Sequence, residues 1–282
     1  MAIRIITDST VDIADSYMSR FIVVPLTVSF GEDDYIDGVT INKQEFYQKL
    51  ISSPELPKTS QATPEAFAKV FRQLRDQGDE GVVITVSSCL SGTWQSACLA
   101  AEDFENIRVV DSRNVSIASG VLALYALRCA EDGMTLDALA RHLSKKRDEI
   151  GLVAMVDTLE YLKKGGRISA AAALAGGLLG IKPVVTCREG ELAVLGKARG
   201  SKKANNLLVE QIRKDGIDFS MPLLLGYTGL SDDLLRRYIE DSRCLWEGRV
   251  TRLDCVHLSS VIGTHAGPGA VAVAYFKSNT VK

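Results

Sequence analysis

Short apolar runs alternate with amphipathic stretches along the first half of the chain. The runs 3–6, 21–26, 82–86, 107–110 and 152–156 consist largely of Ile, Val and Leu, which predicts buried strands. Between them, apolar residues recur at helical spacing and predict helices at 11–18, 43–52, 66–77, 93–101, 115–130 and 136–147. This alternation predicts a parallel sheet, and we assign residues 1–156 to an N-terminal three-layer α/β/α domain.

The pattern changes after residue 156. A short helix at 158–164 ends at two glycines, and a β-hairpin is predicted for 184–186 and 192–195. Further helices are predicted at 202–213 and 232–241, and further strands at 223–227, 249–257 and 270–275. Hairpins mixed with helices predict a two-layer α/β domain with a mixed sheet for residues 157–282.

The segment 81–97 passes from an apolar strand through a serine-rich turn into a helix that begins near Thr93. Backbone N–H groups at the start of a helix are unpaired, the helix dipole favours negative charge there, and serine hydroxyls add donors. This predicts a site for a carboxylate or phosphate beside Ser91, Gly92 and Thr93.

Other small polar residues are expected at the same edge of the sheet. Two strands are each followed by Asp-Ser, at 8–9 and 111–112, and ligands of parallel sheets bind at the carboxyl ends of strands. The pair at 8–9 is also explained as a cap for the predicted helix 11–18. The loop 54–64 contains three prolines, which lower the entropic cost of holding Thr59 and Ser60 toward a ligand.

Two further residues complete what an anion requires. Arg167 follows the helix 158–164 and offers a cation, although it is also placed to bind that helix's last carbonyl groups. His265 lies in the glycine-rich segment 263–269, which we predict to be a loop whose backbone approaches a ligand closely. With Ser91 and Thr59, they supply a cation, a titratable donor and neutral hydroxyl groups.

Composition narrows the class of protein. The 282 residues carry a formal net charge of −2 without a basic block, so no nucleic acid partner is expected. The six cysteines are scattered without CxxC spacing, which is typical of reduced thiols in a cytoplasmic protein. The chain begins with a strand rather than a signal peptide, and its apolar stretch 168–181 is too short to span a bilayer, so stable membrane insertion is not expected.

Sequence motifs for cofactors and metals are missing. Neither GxxxxGK[ST], GxGxxG nor HExxH occurs, so no cofactor or metal site is expected. Cys89, in the serine turn, and Ser91 are alternatives as nucleophiles of a small-molecule acyl hydrolase or transferase. The sequence identifies no base near Cys89. Ser91 does not lie in a GxSxG elbow, and His265 could serve as its base only if the fold brings the two residues together. A regulatory protein that senses a small anion is a third alternative.

Seven segments, in order along the whole chain, resemble the DegV family of bacterial fatty-acid-binding proteins. They are TDST at 7–10, KTSQ at 58–61, SSCLSGTWQSA at 87–97, DS at 111–112, YLKKGGRIS at 161–169, LLGIKPVV at 178–185 and GTHAGPGA at 263–270. The resemblance implies a two-domain α/β fold with a long-chain fatty acid, such as palmitate, between the domains. It also implies a carrier rather than an enzyme, which presents the acyl carboxylate to a separate fatty acid kinase for phospholipid synthesis.

The family's site residues fall on individual positions of this chain. Its carboxylate-binding threonine and serine match Thr59 and Ser91, its arginine matches Arg167, and its histidine matches His265. Arg199, in the stretch KARGSKKA, matches the basic residues that the resemblance implies in docking the kinase. We expect the chain to act as a monomer.

The chain departs from the family pattern at Ala62, where proline is usual, and at Trp94, where tyrosine is common. We expect a less rigid loop at the first position and a reshaped pocket rim at the second.

The acyl tail should contribute most of the binding free energy. Burial of about 15 methylenes at about 0.8 kcal/mol each contributes on the order of 12 kcal/mol before ordering costs, whereas each head-group hydrogen bond contributes roughly 1–3 kcal/mol. Affinity should therefore come from the tail and orientation from the head group. The segments 115–127 and 170–185 are candidate tail-pocket walls, although ordinary core packing also explains them.

Overall fold

The computed structural model describes residues 2–169 and 180–278. Its strands are β1 (Ile3–Asp8), β2 (Phe21–Val24), β3 (Thr27–Phe30), β4 (Asp33–Ile36), β5 (Lys58–Ser60), β6 (Glu80–Thr85), β7 (Ile107–Asp111), β8 (Ile150–Met155), β9 (Ile181–Arg188), β10 (Glu191–Arg199), β11 (Leu223–Tyr227), β12 (Asp254–His257) and β13 (Val271–Phe276). Its α-helices are α1 (Lys43–Ser52), α2 (Pro64–Gln77), α3 (Thr93–Ala101), α4 (Ile117–Glu131), α5 (Leu136–Lys146), α6 (Glu160–Lys164), α7 (Ser201–Asp215), α8 (Asp233–Asp241), α9 (Arg243–Trp246) and α10 (Ser260–Ala266). Short 3₁₀ helices span Asp15–Arg20 and Arg147–Glu149.

The strands form a parallel sheet, a mixed sheet and a small antiparallel sheet. The parallel sheet has four strands in the order β2-β1-β6-β7. The mixed sheet has six, in the order β10-β9-β8-β13-β11-β12, and β11 and β12 are its parallel pair. The order β4-β3-β5 gives a small three-stranded antiparallel sheet, in which β3 and β4 form a hairpin. The predicted α/β class, with a parallel and a mixed sheet, is confirmed.

Helices cover the parallel sheet on both faces, which accounts for its unbroken apolar strands. Ile5 and Val82 pack into one cluster with α4 and α5, whereas Ile6 and Val83 pack into another with α2 and α3. The mixed sheet packs α7 and α8 on one face. Its other face turns toward the parallel-sheet half, and α4 contacts strands of both sheets.

The strand predicted at 152–156 does not close the parallel sheet. It is β8 of the mixed sheet, paired antiparallel with β9 and β13. A buried apolar run of this length suits either kind of sheet, so hydrophobicity alone gives no partner. A division of the chain at residue 156 therefore separates β8 from the other strands of its own sheet.

The helix predicted at 11–18 is wrong, because only Asp15–Arg20 is helical and that segment is a 3₁₀ helix. The side chain of Asp12 is buried, where it accepts hydrogen bonds from the Ser116 hydroxyl and from the Ser259 backbone N–H. Val11 and Ile13 are buried in the same core cluster. These long-range contacts fix the backbone in an irregular path that local spacing does not encode.

The glycine-rich segment at 263–269 was predicted to be a loop, yet its first residues belong to α10. Residue 263 of this helix is a glycine because a Cβ there would come within 2.6 Å of Phe46 and Tyr47. The backbone leaves the helix at Gly267, where φ is +70°. His265 is therefore held in the last turn of a helix.

Two other predictions differ from the structure. Thr59 and Ser60 were expected in a loop but lie in β5. The strand predicted at 249–257 is shorter and is limited to β12.

Several predicted elements are confirmed, and local residues mark where they begin or end. Thr63 caps α2 by accepting from the backbone N–H of Ala66, and Pro64 begins that helix. Two glycines follow α6, and the hairpin of β9 and β10 turns at residues 189 and 190. The stretch 170–179, predicted to contribute to the tail pocket, lies outside the described residues.

Candidate functional site

A cavity of about 380 Å³ lies between the mixed sheet and the parallel-sheet half. This volume falls within the roughly 300–1,000 Å³ typical of ligand pockets. Leu152, Ala154 and Val156 line it from β8 and its end, with Ala272 of β13 and Val185 of β9 beside them. Because alternate residues of a strand share one face, this wall is a continuous apolar surface.

The opposite wall comes from the parallel-sheet half and from α10. Val86 follows β6, Val115 precedes α4, and Leu258, Val261 and Ile262 lie before and within α10. Of the predicted walls at 115–127 and 170–185, the described residues that line the cavity are 115, 116 and 185. Most of 117–126 instead packs as buried core.

Six of the seven residues predicted to bind a carboxylate line this one cavity. They come from β5, from the turn before α3, from the segment after α6 and from α10: Thr59, Ser60, Ser91, Gly92, Arg167 and His265. The seventh, Thr93, is buried and does not line the cavity, but its Oγ1 lies 2.9 Å from Ser91 Oγ. We call Thr59, Ser91, Arg167 and His265 the head-group cluster.

His265 is neutral at physiological pH. Burial, together with the nearby Arg167 cation, lowers its pKa to about 4. Its Nε2 lies 2.9 Å from Thr59 Oγ1, and its Nδ1 has no hydrogen-bond partner among the described residues. A Cβ at Gly165 would come within 2.2 Å of that Nδ1, so the imidazole needs a glycine at this position.

Arg167 is fixed by backbone carbonyl groups rather than by a carboxylate. Its Nε donates to the carbonyl oxygen of Leu90 at 3.1 Å, and its Nη1 donates to that of Gly165 at 2.5 Å. Among the described residues its acceptors are neutral carbonyl groups, and none of them neutralises the positive charge. An anion in the cavity would therefore meet a positioned cation.

The serine turn is held in place by two acidic side chains, of which Asp8 is buried. Asp8 accepts the backbone N–H of Val86 at 2.8 Å, and Asp111 accepts both the N–H and the hydroxyl of Ser88. The hydroxyl of Ser87 donates to the carbonyl of Gly190, which ties the turn to the β9–β10 hairpin. The aspartates expected at the ligand-binding edge of the sheet thus hold the turn that carries Ser91.

Two more buried carboxylates hold the start of α10, which carries His265. Asp12 accepts the backbone N–H of Ser259 at 2.8 Å, and Asp37 accepts that of Ser260 at 3.1 Å. Burial raises the pKa of Asp12 to about 7 and also raises that of Asp37. These contacts join the first 40 residues to the helix that delivers the imidazole.

The geometry does not equip Ser91 or Cys89 as a nucleophile. The Ser91 hydroxyl pairs with Thr93, while the imidazole of His265 pairs with Thr59. Cys89 is exposed, lines no part of the cavity, and has Sγ 3.9 Å from the carbonyl oxygen of Glu189. A nucleophilic hydroxyl needs a base within hydrogen-bond reach, and in the described part of the chain neither pairing provides one.

Residues away from the cavity complete the comparison with the sequence. Arg199 is exposed at the end of β10 and does not line the cavity, and Trp94 does not line it either. Within residues 2–169 and 180–278 no group of acidic, cysteine or histidine side chains is arranged to hold a metal ion. No helix in those ranges is long and apolar enough to cross a membrane.

Comparison with known proteins decides the family. A family model described as 'uncharacterised protein, DegV family' matches residues 2–278. A DegV domain-containing protein of Caldanaerobacter subterraneus subsp. tengcongensis is 36% identical over 277 residues, which cover 97% of this chain and 98% of that protein. The chain belongs to the DegV family.

Solved structures of similar proteins share the fold over nearly the whole chain. A fatty-acid-binding DegV family protein from Thermus thermophilus has a TM-score of 0.87 at 34% identity, covering 99% of this chain and 100% of that one. A stearic-acid-binding protein from Eubacterium ventriosum has a TM-score of 0.85 at 29% identity, covering 98% of each chain. The fatty-acid-binding DegV protein of Bacillus subtilis has a TM-score of 0.84 at 28% identity, covering 99% and 100%.

Two contributors to this DegV site were not predicted. Gln61 lines the cavity and donates to Ser96 Oγ at 2.8 Å, and a Cβ at Gly92 would come within 2.1 Å of its Oε1. Its position directly after Ser60 in the polar segment is the signal that could have revealed it. The second is Gly165, whose lack of a side chain leaves space for His265. No sequence pattern predicts this role, because the two residues are far apart in the chain.

Proposed function

We propose that the protein binds a long-chain fatty acid in the 380 Å³ cavity and fixes its carboxylate at the head-group cluster. The observation that carries this proposal is the shape of the site, an apolar chamber in which four separate segments bring polar groups together. An unpaired carboxylate is costly to bury, and the hydroxyls of Thr59 and Ser91 with the cation of Arg167 offset that cost. Fatty acid binding by the Thermus thermophilus and Bacillus subtilis proteins supports the same assignment.

We further propose that the protein carries out no chemistry itself. It presents the bound acyl carboxylate to a separate fatty acid kinase, and the acyl phosphate enters phospholipid synthesis. Arg199, exposed beyond the cavity, is our candidate contact for that kinase. Neither Ser91 nor Cys89 is paired with a base in the described part of the chain, which supports a carrier rather than a hydrolase.

The ligand is tested by solvent extraction of the purified protein, followed by mass spectrometry of the extract. We expect near-stoichiometric long-chain fatty acid, and the delipidated protein should take up added palmitate. An empty extract together with no palmitate uptake would contradict fatty acid binding. Hydrolysis of an acyl ester by the protein alone, lost in Ser91→Ala or Cys89→Ala, would favour the enzyme alternative.

Presentation of the carboxylate is tested with Ser91→Ala. Loss of a hydrogen bond to a charged group costs about 1.5–3 kcal/mol, or about 10- to 150-fold in palmitate affinity, while the apolar wall is untouched. Misplacement of the reacting group costs about 100-fold more in rate, so phosphorylation by the kinase should be lost even with saturating palmitate. Ser144→Ala is the control, because that hydroxyl bonds a carbonyl within α5. Normal phosphorylation of palmitate bound to Ser91→Ala would contradict the role of Ser91.

A further inference from the structure

A second cavity, of about 360 Å³, adjoins the head-group cluster. Thr59, Arg167 and His265 line both cavities, so these side chains form the partition between them. The apolar chamber lies on one side of the partition. On the other side the lining includes Lys58 and Lys164, both of which are exposed. We call this second space the outer cavity.

The outer cavity is electropositive. Its described lining contains Lys58, Lys164 and Arg167 but neither aspartate nor glutamate. Neither lysine forms a salt bridge with any residue in the described ranges, and Arg167 is bonded to carbonyl groups. Three uncompensated cations around one small space favour an anion more highly charged than a carboxylate.

The proposed function supplies such an anion. In phosphoryl transfer, a carboxylate oxygen forms a bond to the terminal phosphorus of a nucleoside triphosphate held by the kinase. The bond from that phosphorus to the bridging oxygen breaks, and the nucleoside diphosphate leaves with the electron pair. The product is an acyl phosphate, whose phosphoryl group carries more negative charge than the carboxylate it replaces. The apolar chamber cannot solvate this group, so it must extend to the other side of the partition.

Resting on that proposed function, we infer that the outer cavity is a phosphate subsite in which Lys58 and Lys164 hold the phosphoryl group of the acyl phosphate. Arg167 stands between the two cavities and contacts the carboxyl end of the ligand in either state. The lysines then act on the phosphorylated product and have little effect on the fatty acid itself.

The test compares two ligands in three proteins. The ligands are palmitate and the β-ketophosphonate analogue of palmitoyl phosphate, in which a methylene replaces the bridging oxygen. The proteins are the wild type, the double variant Lys58→Gln/Lys164→Gln, and Lys163→Gln as a matched control, since Lys163 is an exposed lysine of α6 that does not line the outer cavity. Displacement of a fluorescent fatty acid gives each affinity.

We expect the double variant to bind palmitate like the wild type and the phosphonate about tenfold more weakly, the size expected for two partly exposed ion pairs. Lys58→Arg/Lys164→Arg should restore phosphonate binding, and added salt should weaken phosphonate binding more in the wild type than in Lys58→Gln/Lys164→Gln. Wild-type phosphonate affinity in the double variant would overturn the phosphate subsite while leaving the fatty acid carrier intact. Failure of the wild type to bind palmitate would instead overturn the proposed function and the subsite with it.

Discussion

Ala154→Leu tests whether the face of β8 is the wall along which the acyl chain lies. Ala154 lies between Leu152 and Val156 on that face, and its side chain lines the cavity. Leucine adds three carbon atoms there, which displace about three methylenes of a chain that fills the space. At about 0.8 kcal/mol for each methylene, the loss is about 2.4 kcal/mol, or about 50-fold in affinity.

The assay is displacement of a fluorescent fatty acid by palmitate and by tridecanoate, which is three carbons shorter. In the wild type, palmitate should bind about 50-fold more tightly than tridecanoate, since it buries three more methylenes. In Ala154→Leu this advantage should disappear, because palmitate weakens and tridecanoate keeps its affinity. The proportion of palmitate in lipid extracted from the variant should fall accordingly.

Ala193→Leu is the matched control, because Ala193 lies in β10 of the same sheet without lining the cavity. It should leave the affinities of both fatty acids unchanged. An undiminished preference for palmitate in Ala154→Leu would show that the tail does not run along β8. If the affinities for palmitate and tridecanoate fell equally, Ala154 would lie near the carboxylate, and the proposed orientation of the fatty acid in the cavity would be refuted.

Two further predictions concern His265. The pKa of His265 is about 4 in the folded protein and 6.5 in the unfolded chain, so between these values the unfolded chain binds more protons. As the pH falls from 7 to 5, this group therefore lowers the free energy of unfolding by about 2 kcal/mol. Urea unfolding of His265→Gln should lack that loss while retaining the opposite contribution of Asp12, and equal pH profiles would contradict the buried neutral imidazole. Gly165→Ala places a Cβ within 2.2 Å of His265 Nδ1 and 3.1 Å of the Tyr161 carbonyl oxygen. We expect it to break the Thr59 bond and weaken palmitate binding about tenfold, and wild-type affinity would show that this contact is unimportant.

The fold was predictable wherever local pattern and burial coincide. The apolar runs of β1, β6 and β7 lie in a parallel sheet with helices on both faces, and Thr63 with Pro64 marks the start of α2. Sheet membership of β8 was not predictable, because pairing between distant strands leaves no local trace. The segment after β1 failed for a similar reason, since Asp12 is bound by residues more than 100 positions away.

The candidate site was predicted better than the contacts that support it. Hydroxyl, guanidinium and imidazole groups in short polar segments mark Thr59, Ser91, Arg167 and His265, and the structure brings all four to one cavity. The sequence could not show that Thr93 lies behind Ser91 or that Asp8 and Asp111 hold the serine turn. Those roles depend on which side chains face inward after the sheets pack, a property of the tertiary structure alone.

The central claim is that a fatty acid occupies the 380 Å³ cavity with its carboxylate at the head-group cluster. The most direct test is a crystal structure of the delipidated protein with palmitate added back. The account predicts carboxylate oxygens at hydrogen-bond distance, about 2.5–3.2 Å, from Ser91 Oγ and Thr59 Oγ1, with the acyl chain along Ala154 and Leu152. Palmitate bound in the reverse direction, or outside this cavity, would contradict it.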